Sequence, residues 1–181
     1  MGTAQRVNVD VIVTSDSKSP NGVRFAMNSN LGSGNQLTFK NKKKGDWFEV
    51  DFTIVDDNEP KTGYLFPDDE KLAMYVKPVD DLTEPCPDDW NDPRHWDQFE
   101  AQQVTNKNQT LRVRNWNHDI QLFKFTLWVT KTPNENGPCI PYDPVGSNQN
   151  GGSGMLMTYA LVGAAVVAGA AALYSCGVFG S

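Results

Sequence analysis

The chain has 181 residues, and its 22 acidic side chains outnumber the 16 basic ones to give a net charge of −6 at pH 7. Such an acidic chain is a poor partner for a nucleic-acid backbone, so no nucleic acid is expected to bind. Every charged side chain lies at or before Asp143, and residues 144–181 carry none. This change in composition divides the chain into an acidic region and an uncharged region.

The N-terminal stretch lacks the pattern of a secretory signal. Residues 1–6 are polar, and residues 7–14 alternate between apolar and polar side chains. A secretory signal would have a continuous apolar run at this place. We therefore expect the acidic region to fold in the cytoplasm.

The acidic region shows the alternation of β-strands. Apolar residues recur at every second position, as on strands that bury one face. The clearest examples, in chain order, are Val7, Val9, Val11 and Val13; Val23, Phe25 and Met27; Leu37 and Phe39; Phe48, Val50, Phe52 and Ile54; and Phe123, Phe125, Leu127 and Val129. Weaker candidates lie at 72–79, 99–104 and 111–113, and sequences rich in Gly, Pro and Asn separate the segments.

These strands predict an all-β domain over residues 1–131. Many short strands without a soluble helix are typical of an Ig-like sandwich of antiparallel strands. Because the strands alternate, one face of each sheet should be buried and the other should contact water. On the last strand, Lys124, Thr126 and Trp128 would point to the water side. Phe52, in the middle of the strongest alternation, should lie in the core.

A long acidic segment, residues 80–98, interrupts the strands. Its carboxylates could bind a hard cation such as calcium, but the spacing is not that of an EF-hand loop, and no cofactor is predicted. Trp90 and Trp96 could offer a surface to a partner or could pin the segment onto the domain. Long segments of this kind are either functional or packed surface excursions. Both interpretations of the two tryptophans stay open.

No catalytic motif is present in the sequence. His95 and His118 are the only histidines, and no Cys or His spacing suggests a zinc site. The nucleophile motif Gly-x-Ser-x-Gly is also missing. We therefore predict a non-enzymatic protein with no metal and no small-molecule substrate.

The end of the acidic region resembles a known family. Tyr142 is followed by Asp143-Pro144, and a Glu-Pro dipeptide occurs at Glu59-Pro60 and again at Glu84-Pro85. In these features residues 1–145 are similar to small bacterial Ig-like sandwich proteins of the DP-EP family, whereas the uncharged tail is not covered. The resemblance implies an Ig-like fold and no catalytic residues.

The uncharged region divides into a linker and a helix. Residues 132–154 are rich in Pro, Asn and Gly, which is typical of a linker. Residues 155–181 are expected to form a helix, whose first 25 residues would span about 37 Å against about 30 Å of bilayer hydrocarbon. Tyr159 and Tyr174 would lie near the two membrane boundaries.

Small side chains recur along this predicted helix. Rows of small residues let helices approach closely, so copies of the helix are expected to pack together. The predicted packing face consists of Ala160, Gly163, Ala164, Ala168, Gly169 and Ala172.

Three hypotheses of function follow from this organisation. In the first, a transmembrane helix anchors the sandwich to a bilayer in a single pass, with the domain on the cytoplasmic side and copies of the chain as partners. In the second, the protein is a subunit of a filament or of a virion shell, whose C-terminal helices pack as a core without lipid. In the third, the chain is a soluble ligand-binding module, which would keep its binding without residues 146–181.

Overall fold

Most of the described residues, 62%, lie in the strands of two β-sheets. The structure is a computed structural model that describes residues 2–40, 43, 45–80, 97–131, 138–149 and 174–175. Its elements are β1 (Ala4–Ser15), β2 (Val23–Ser29), β3 (Gly32–Gly34), β4 (Gln36–Lys40), β5 (Trp47–Asp56), α1 (Glu70–Ala73), β6 (Met74–Val79), β7 (Phe99–Thr105), β8 (Thr110–Asn115), β9 (Gln121–Thr130), β10 (Pro138–Tyr142), β11 (Val145–Gln149) and β12 (Tyr174–Ser175). The prediction of an all-β domain is confirmed.

Sheet A contains six strands in the order β3-β2-β1-β5-β8-β7. Its two longest strands, β1 and β5, run parallel, with Val7 opposite Val50 and Val9 opposite Phe52. The other pairs in this sheet are antiparallel. The sheet is therefore mixed, which differs from the predicted antiparallel arrangement.

Sheet B is built around β9. Residues 122–124 and Leu127 of β9 pair with a strand on both sides, because β6 pairs along one side while β11 and β10 follow each other along the other side, with a break opposite Phe125 and Thr126. Beyond them, β4 pairs with β11 in parallel and β12 pairs with β10 antiparallel. The strands β10 and β11 therefore lie inside this sheet.

The two sheets share one hydrophobic core. Ring pairs connect them along its length: Phe52 of sheet A lies 6.0 Å from Phe125 of sheet B, and Phe99 lies 4.8 Å from Phe123. All the residues predicted to face inward on the five clearest strands are buried in this core. Alternation in the sequence thus identified both the strands and their inner faces.

The predicted linker, residues 132–154, differs from the structure. Residues 138–149 contain two strands, and Ile140 and Tyr142 of the first are buried in the common core. Composition suggested a linker because two prolines occur in β10, and because the inward positions of β11 are Gly146 and Asn148 instead of large apolar residues. Residues 132–137 and 150–154 lie outside the described residues.

The predicted C-terminal helix, residues 155–181, also lies outside the described residues, except for Tyr174 and Ser175. These two residues form β12, a short strand paired with Pro138 and Cys139. Within the part of the chain that the structure describes, no helix is long and apolar enough to cross a membrane. The prediction of a helix is therefore wrong for Tyr174 and Ser175, and it stays a prediction for residues 155–173 and 176–181.

Candidate functional site

Most residues singled out by the sequence fall in segments that the structure does not describe. Tyr159, Trp90 and Trp96 belong to this group. So does the whole predicted helix-packing face of Ala160, Gly163, Ala164, Ala168, Gly169 and Ala172. Tyr174 is the exception, since its backbone lies opposite Cys139 at the edge of sheet B. The described site is therefore the place where the tail meets the domain.

The strands β10 and β11 are joined at Asp143-Pro144, where the pairing with β9 is interrupted. The hydroxyl of Thr126 donates a 2.9 Å hydrogen bond to the carboxylate of Asp143. The backbone N–H of Phe125 donates to the carbonyl of Pro144 at 3.1 Å. Asp143 and Pro144 thus stay bonded to β9 where the strand pairing is interrupted. These two bonds keep β10 and β11 in the sheet, although proline has no N–H to donate to a neighbouring strand.

Tyr142 ties β10 to the turn between β3 and β4. Its hydroxyl lies 2.9 Å from the carbonyl oxygen of Gly34 and 2.9 Å from the side-chain oxygen of Asn35. Its ring packs 5.6 Å from that of Phe25 in sheet A. Burial raises the pKa of the Tyr142 phenol well above its usual value, so the group stays neutral.

A pair of buried amides joins β11 to sheet A. Asn115 of β8 donates to the side-chain oxygen of Asn148 at 2.8 Å, and Asn148 donates back at 3.2 Å. The oxygen of Asn115 also accepts from the backbone N–H of Asn117 at 2.9 Å. Because an unpaired amide would be costly inside the core, this exchange fixes the register of β11.

Replacing Asn148 should therefore destabilise the domain. Asn148→Ala is expected to lower the free energy of unfolding by about 1–3 kcal/mol, because it removes the acceptor of the buried Asn115 side-chain N–H. Urea unfolding followed by circular dichroism measures the change. The matched control is Ser147→Ala, one position along on the outer face, which should cost much less. Equal losses for both variants would contradict the bridging role.

The outer face of sheet B is buried along β6 and β9. Tyr75 and Thr126 are 0% exposed, and Trp128 is 6% exposed. Tyr75, Val79 and Trp128 are the buried apolar residues that do not belong to the core between the sheets. The expected wet face is thus wrong for these strands. The sequence indicated this burial, since Tyr75, Val79 and Trp128 are apolar residues at outward positions of their strands.

Charged side chains on the same outer face are buried as well. Lys77 of β6 lies directly opposite Lys124 of β9, and the two side chains are 3% and 8% exposed. Like charges directly opposite each other destabilise a sheet, and buried ammonium groups need anionic neighbours. Two basic side chains thus lie side by side within this buried face.

The outer face of sheet A is different, because charged side chains cover it. Arg114 lies 3.8 Å from Glu49 and 3.5 Å from Glu100, while Arg6 lies 3.2 Å from Glu49. The Arg114 guanidinium also sits 4.9 Å above the ring of Trp116. Such half-exposed ion pairs contribute little to stability, but they keep this face compatible with water.

Hydrogen bonds shift the pKa of one described carboxyl group, that of Asp56. Partial burial alone would raise the pKa of Asp56, but hydrogen bonds from Thr62 and Asn58 outweigh it and lower that pKa to about 2. The backbone N–H of His118 donates to Gln98, and its ring lies against Trp116. Among the described residues no group of His, Cys, Asp and Glu could hold a metal ion. Of the acidic segment 80–98, only Asp80, Asp97 and Gln98 are described.

Comparison of the sequence with models of known protein families and with curated proteins finds no match. No relative therefore lends this chain a function.

Proposed function

We propose that the protein is a non-enzymatic structural protein, in which a C-terminal transmembrane helix displays the β-domain from a bilayer and associates with copies of itself. The observation that supports this proposal most is the uncharged, apolar segment that begins shortly after β11. From Met155 to Phe179 it carries no charged side chain over 25 residues. A stretch of that length and composition suits a membrane-spanning helix.

The end of β11 limits the distance between the folded domain and the apolar segment. Since β11 ends at Gln149 inside sheet B, only residues 150–154 separate the folded domain from the apolar segment. Five extended residues reach at most about 17 Å. The domain would thus be held close to the bilayer surface, with lipid and other copies of the chain as its partners. In this proposal the fold is Ig-like and residues 1–145 are related to the DP-EP family.

A second candidate is the subunit of a filament or virion shell whose helices pack without lipid. The small-residue repeat Ala160, Ala164, Ala168 and Ala172 favours it. Alanine contributes little to membrane insertion, whereas small residues at every fourth position allow close packing of helices. An uncharged helix in water would have to bury itself against copies or against its own domain.

A charged substitution in the middle of the segment tests the membrane anchor. Val167→Arg should weaken insertion by about 2.5–3.5 kcal/mol and move the full-length protein from the membrane fraction to the supernatant. The matched control, Val167→Leu, should stay with the membranes. Flotation of expressed protein on a density gradient separates lipid-bound chains from dense assemblies. Unchanged flotation of Val167→Arg would contradict the anchor, and a dense pellet without lipid would favour the second candidate.

A further inference from the structure

The outer face of sheet A is open to solvent, in contrast to the buried outer face of sheet B. The side chains of Arg6, Glu100 and Arg112 on this face are 81%, 55% and 36% exposed. The face is therefore accessible to a partner, and the arrangement of its charges indicates which partner it suits.

One row of charges crosses four strands of this face. Arg6 of β1 lies opposite Glu49 of β5. Glu49 lies in turn opposite Arg114 of β8, which lies opposite Glu100 of β7. The signs thus alternate along the row as plus, minus, plus, minus. Such a row is complementary to itself when it is turned end for end, because each charge then meets a charge of the opposite sign.

The rows on either side are symmetric about the same line. Asp51 of β5 lies opposite Arg112 of β8, and these side chains form an ion pair of 2.7 Å. Trp47 begins β5 and Trp116 follows β8, and their rings lie 6.0 Å apart. Each pair therefore straddles the line between β5 and β8, which is also the centre of the row of four charges.

We propose that the outer face of sheet A is a contact surface for the same face of a second copy of this chain. The two-fold axis lies in the plane of contact and runs between β5 and β8, along the strands. It places Glu49 over Arg114 of the second copy, Arg6 over its Glu100, and Trp47 over its Trp116. This inference goes beyond the proposed function, since it assigns pairing of copies to the folded domain as well as to the tail.

The crossing angle of packed sheets is compatible with these contacts. Sheets that pack face to face cross at about 30°, so the pairs farthest from the axis are displaced along the strands by a few ångströms. Arginine and glutamate side chains are long enough to bridge that displacement. The pairs next to the axis stay almost in register.

The charges and the tryptophans have different roles in this contact. The ion pairs already exist within each chain, so the charges mainly fix the orientation, because other orientations bring like charges together. Trp47 and Trp116 supply apolar area, and tryptophan is enriched among the residues that dominate binding at interfaces. The Arg114 guanidinium lies 4.9 Å from the Trp116 ring, which makes the row of charges and the aromatic pair one continuous surface.

The size of the face predicts how strong the contact is. The outer side of β1, β5, β8 and β7 covers on the order of 500 Å², given strands about 4.8 Å apart. Stable interfaces bury about 800 Å² on each partner. Pairing through this face should therefore be reversible, and crosslinking is the suitable measurement.

Two exposed positions on this face give a specific crosslink. Asn8 of β1 and Gln103 of β7 lie in the row next to the four charges. The axis brings Asn8 over Gln103 of the second copy, whereas the two copies of Asn8 stay about 14 Å apart sideways, three strand spacings. Chains with Asn8→Cys are mixed with chains with Gln103→Cys and treated with a short bismaleimide. The mixture should give several-fold more crosslinked dimer than either variant alone.

The chains for this experiment are full length and are dissolved in detergent, with micelles in excess over chains so that the tails stay separate. Their native cysteines are changed to serine, at Cys86, Cys139 and Cys176. Circular dichroism establishes that each variant is folded.

Charge exchange tests the same pairing on both cysteine backgrounds. Arg6→Glu places a glutamate over Glu100 of the second copy, and Glu100→Arg places an arginine over its Arg6. Each change alone should lower the yield of the crosslink several-fold. Chains with Arg6→Glu mixed with chains with Glu100→Arg should recover the yield, because both outer contacts regain opposite signs. Mixing leaves the ion pairs within each chain unaltered, so recovery can arise only from contacts between chains.

Two results would overturn the proposal. One is an equal yield for the mixture of Asn8→Cys with Gln103→Cys and for each variant alone. The other is a mixture of the two charge variants that crosslinks no better than Arg6→Glu by itself. Either result would leave this face as a solvated surface or as the site of a different partner. If the charge variants do not fold, the cysteine pair decides by itself. The flotation of Val167→Arg reports on the tail and is independent of these results.

Discussion

Phe52→Ala is expected to lower the free energy of unfolding by about 3–5 kcal/mol. Phe52 is 1% exposed and lies in β5, between Val9 of β1 and Leu111 of β8. Its ring also meets Phe125 of sheet B at 6.0 Å. Truncation removes contacts with both sheets and leaves a cavity that rigid strands cannot close. Equilibrium unfolding in urea, followed by circular dichroism, measures the loss.

The neighbouring residue provides the matched control for this variant. Thr53 points to the outer face of the same strand, where its hydroxyl lies 3.3 Å from that of Thr110. Thr53→Ala should cost less than about 1 kcal/mol, since cross-strand hydroxyl pairs contribute little. Similar small losses for both variants would show that the core does not depend on this register.

The strands and their inner faces could be predicted because period-two alternation is a local signal. Phe48, Val50, Phe52 and Ile54 alternate with polar residues, and all four are buried in the structure. The choice of partner strand is not local. The parallel pairing of β1 with β5 joins residues more than 40 positions apart. Each of these strands would show the same alternation in its sequence if its neighbour ran antiparallel.

The last strands of the domain escaped prediction for a different reason. Gly146 faces the core where a Cβ atom would lie 2.3 Å from the ring of Phe123, so the inward position must stay small. Asn148 faces the core as a polar residue, which is acceptable only because Asn115 pairs with it. Neither residue gives the apolar signal by which a strand is recognised in a sequence.

The buried outer face of sheet B could have been anticipated in part. Residues 72–79 and 122–129 carry apolar side chains on both faces, among them Tyr75, Val79 and Trp128. Near-continuous apolar runs are typical of strands that are covered on both sides. The sequence could not show what covers them, since a local pattern carries no information about contacts with distant segments.

Ending the chain at Lys131, the predicted domain boundary, is expected to abolish cooperative folding. That truncation removes β10 and β11, and with them two buried core residues, Ile140 and Tyr142. The truncation also removes the strands that pair with one side of β9, and it removes β11, the strand with which β4 pairs. The buried side-chain N–H of Asn115 loses its acceptor, Asn148. The remaining sheet B would keep only β9 with β6 beside it. Two strands rarely hold a fold by themselves.

A chain ending at Gln149 is the control that locates the boundary. It keeps every described strand except β12, so it should retain a single cooperative thermal transition and a β-rich circular-dichroism spectrum. Thermal unfolding of the two chains, measured side by side, separates the possibilities. A cooperative transition in the chain that ends at Lys131 would contradict this prediction. It would show that the domain folds without β10 and β11.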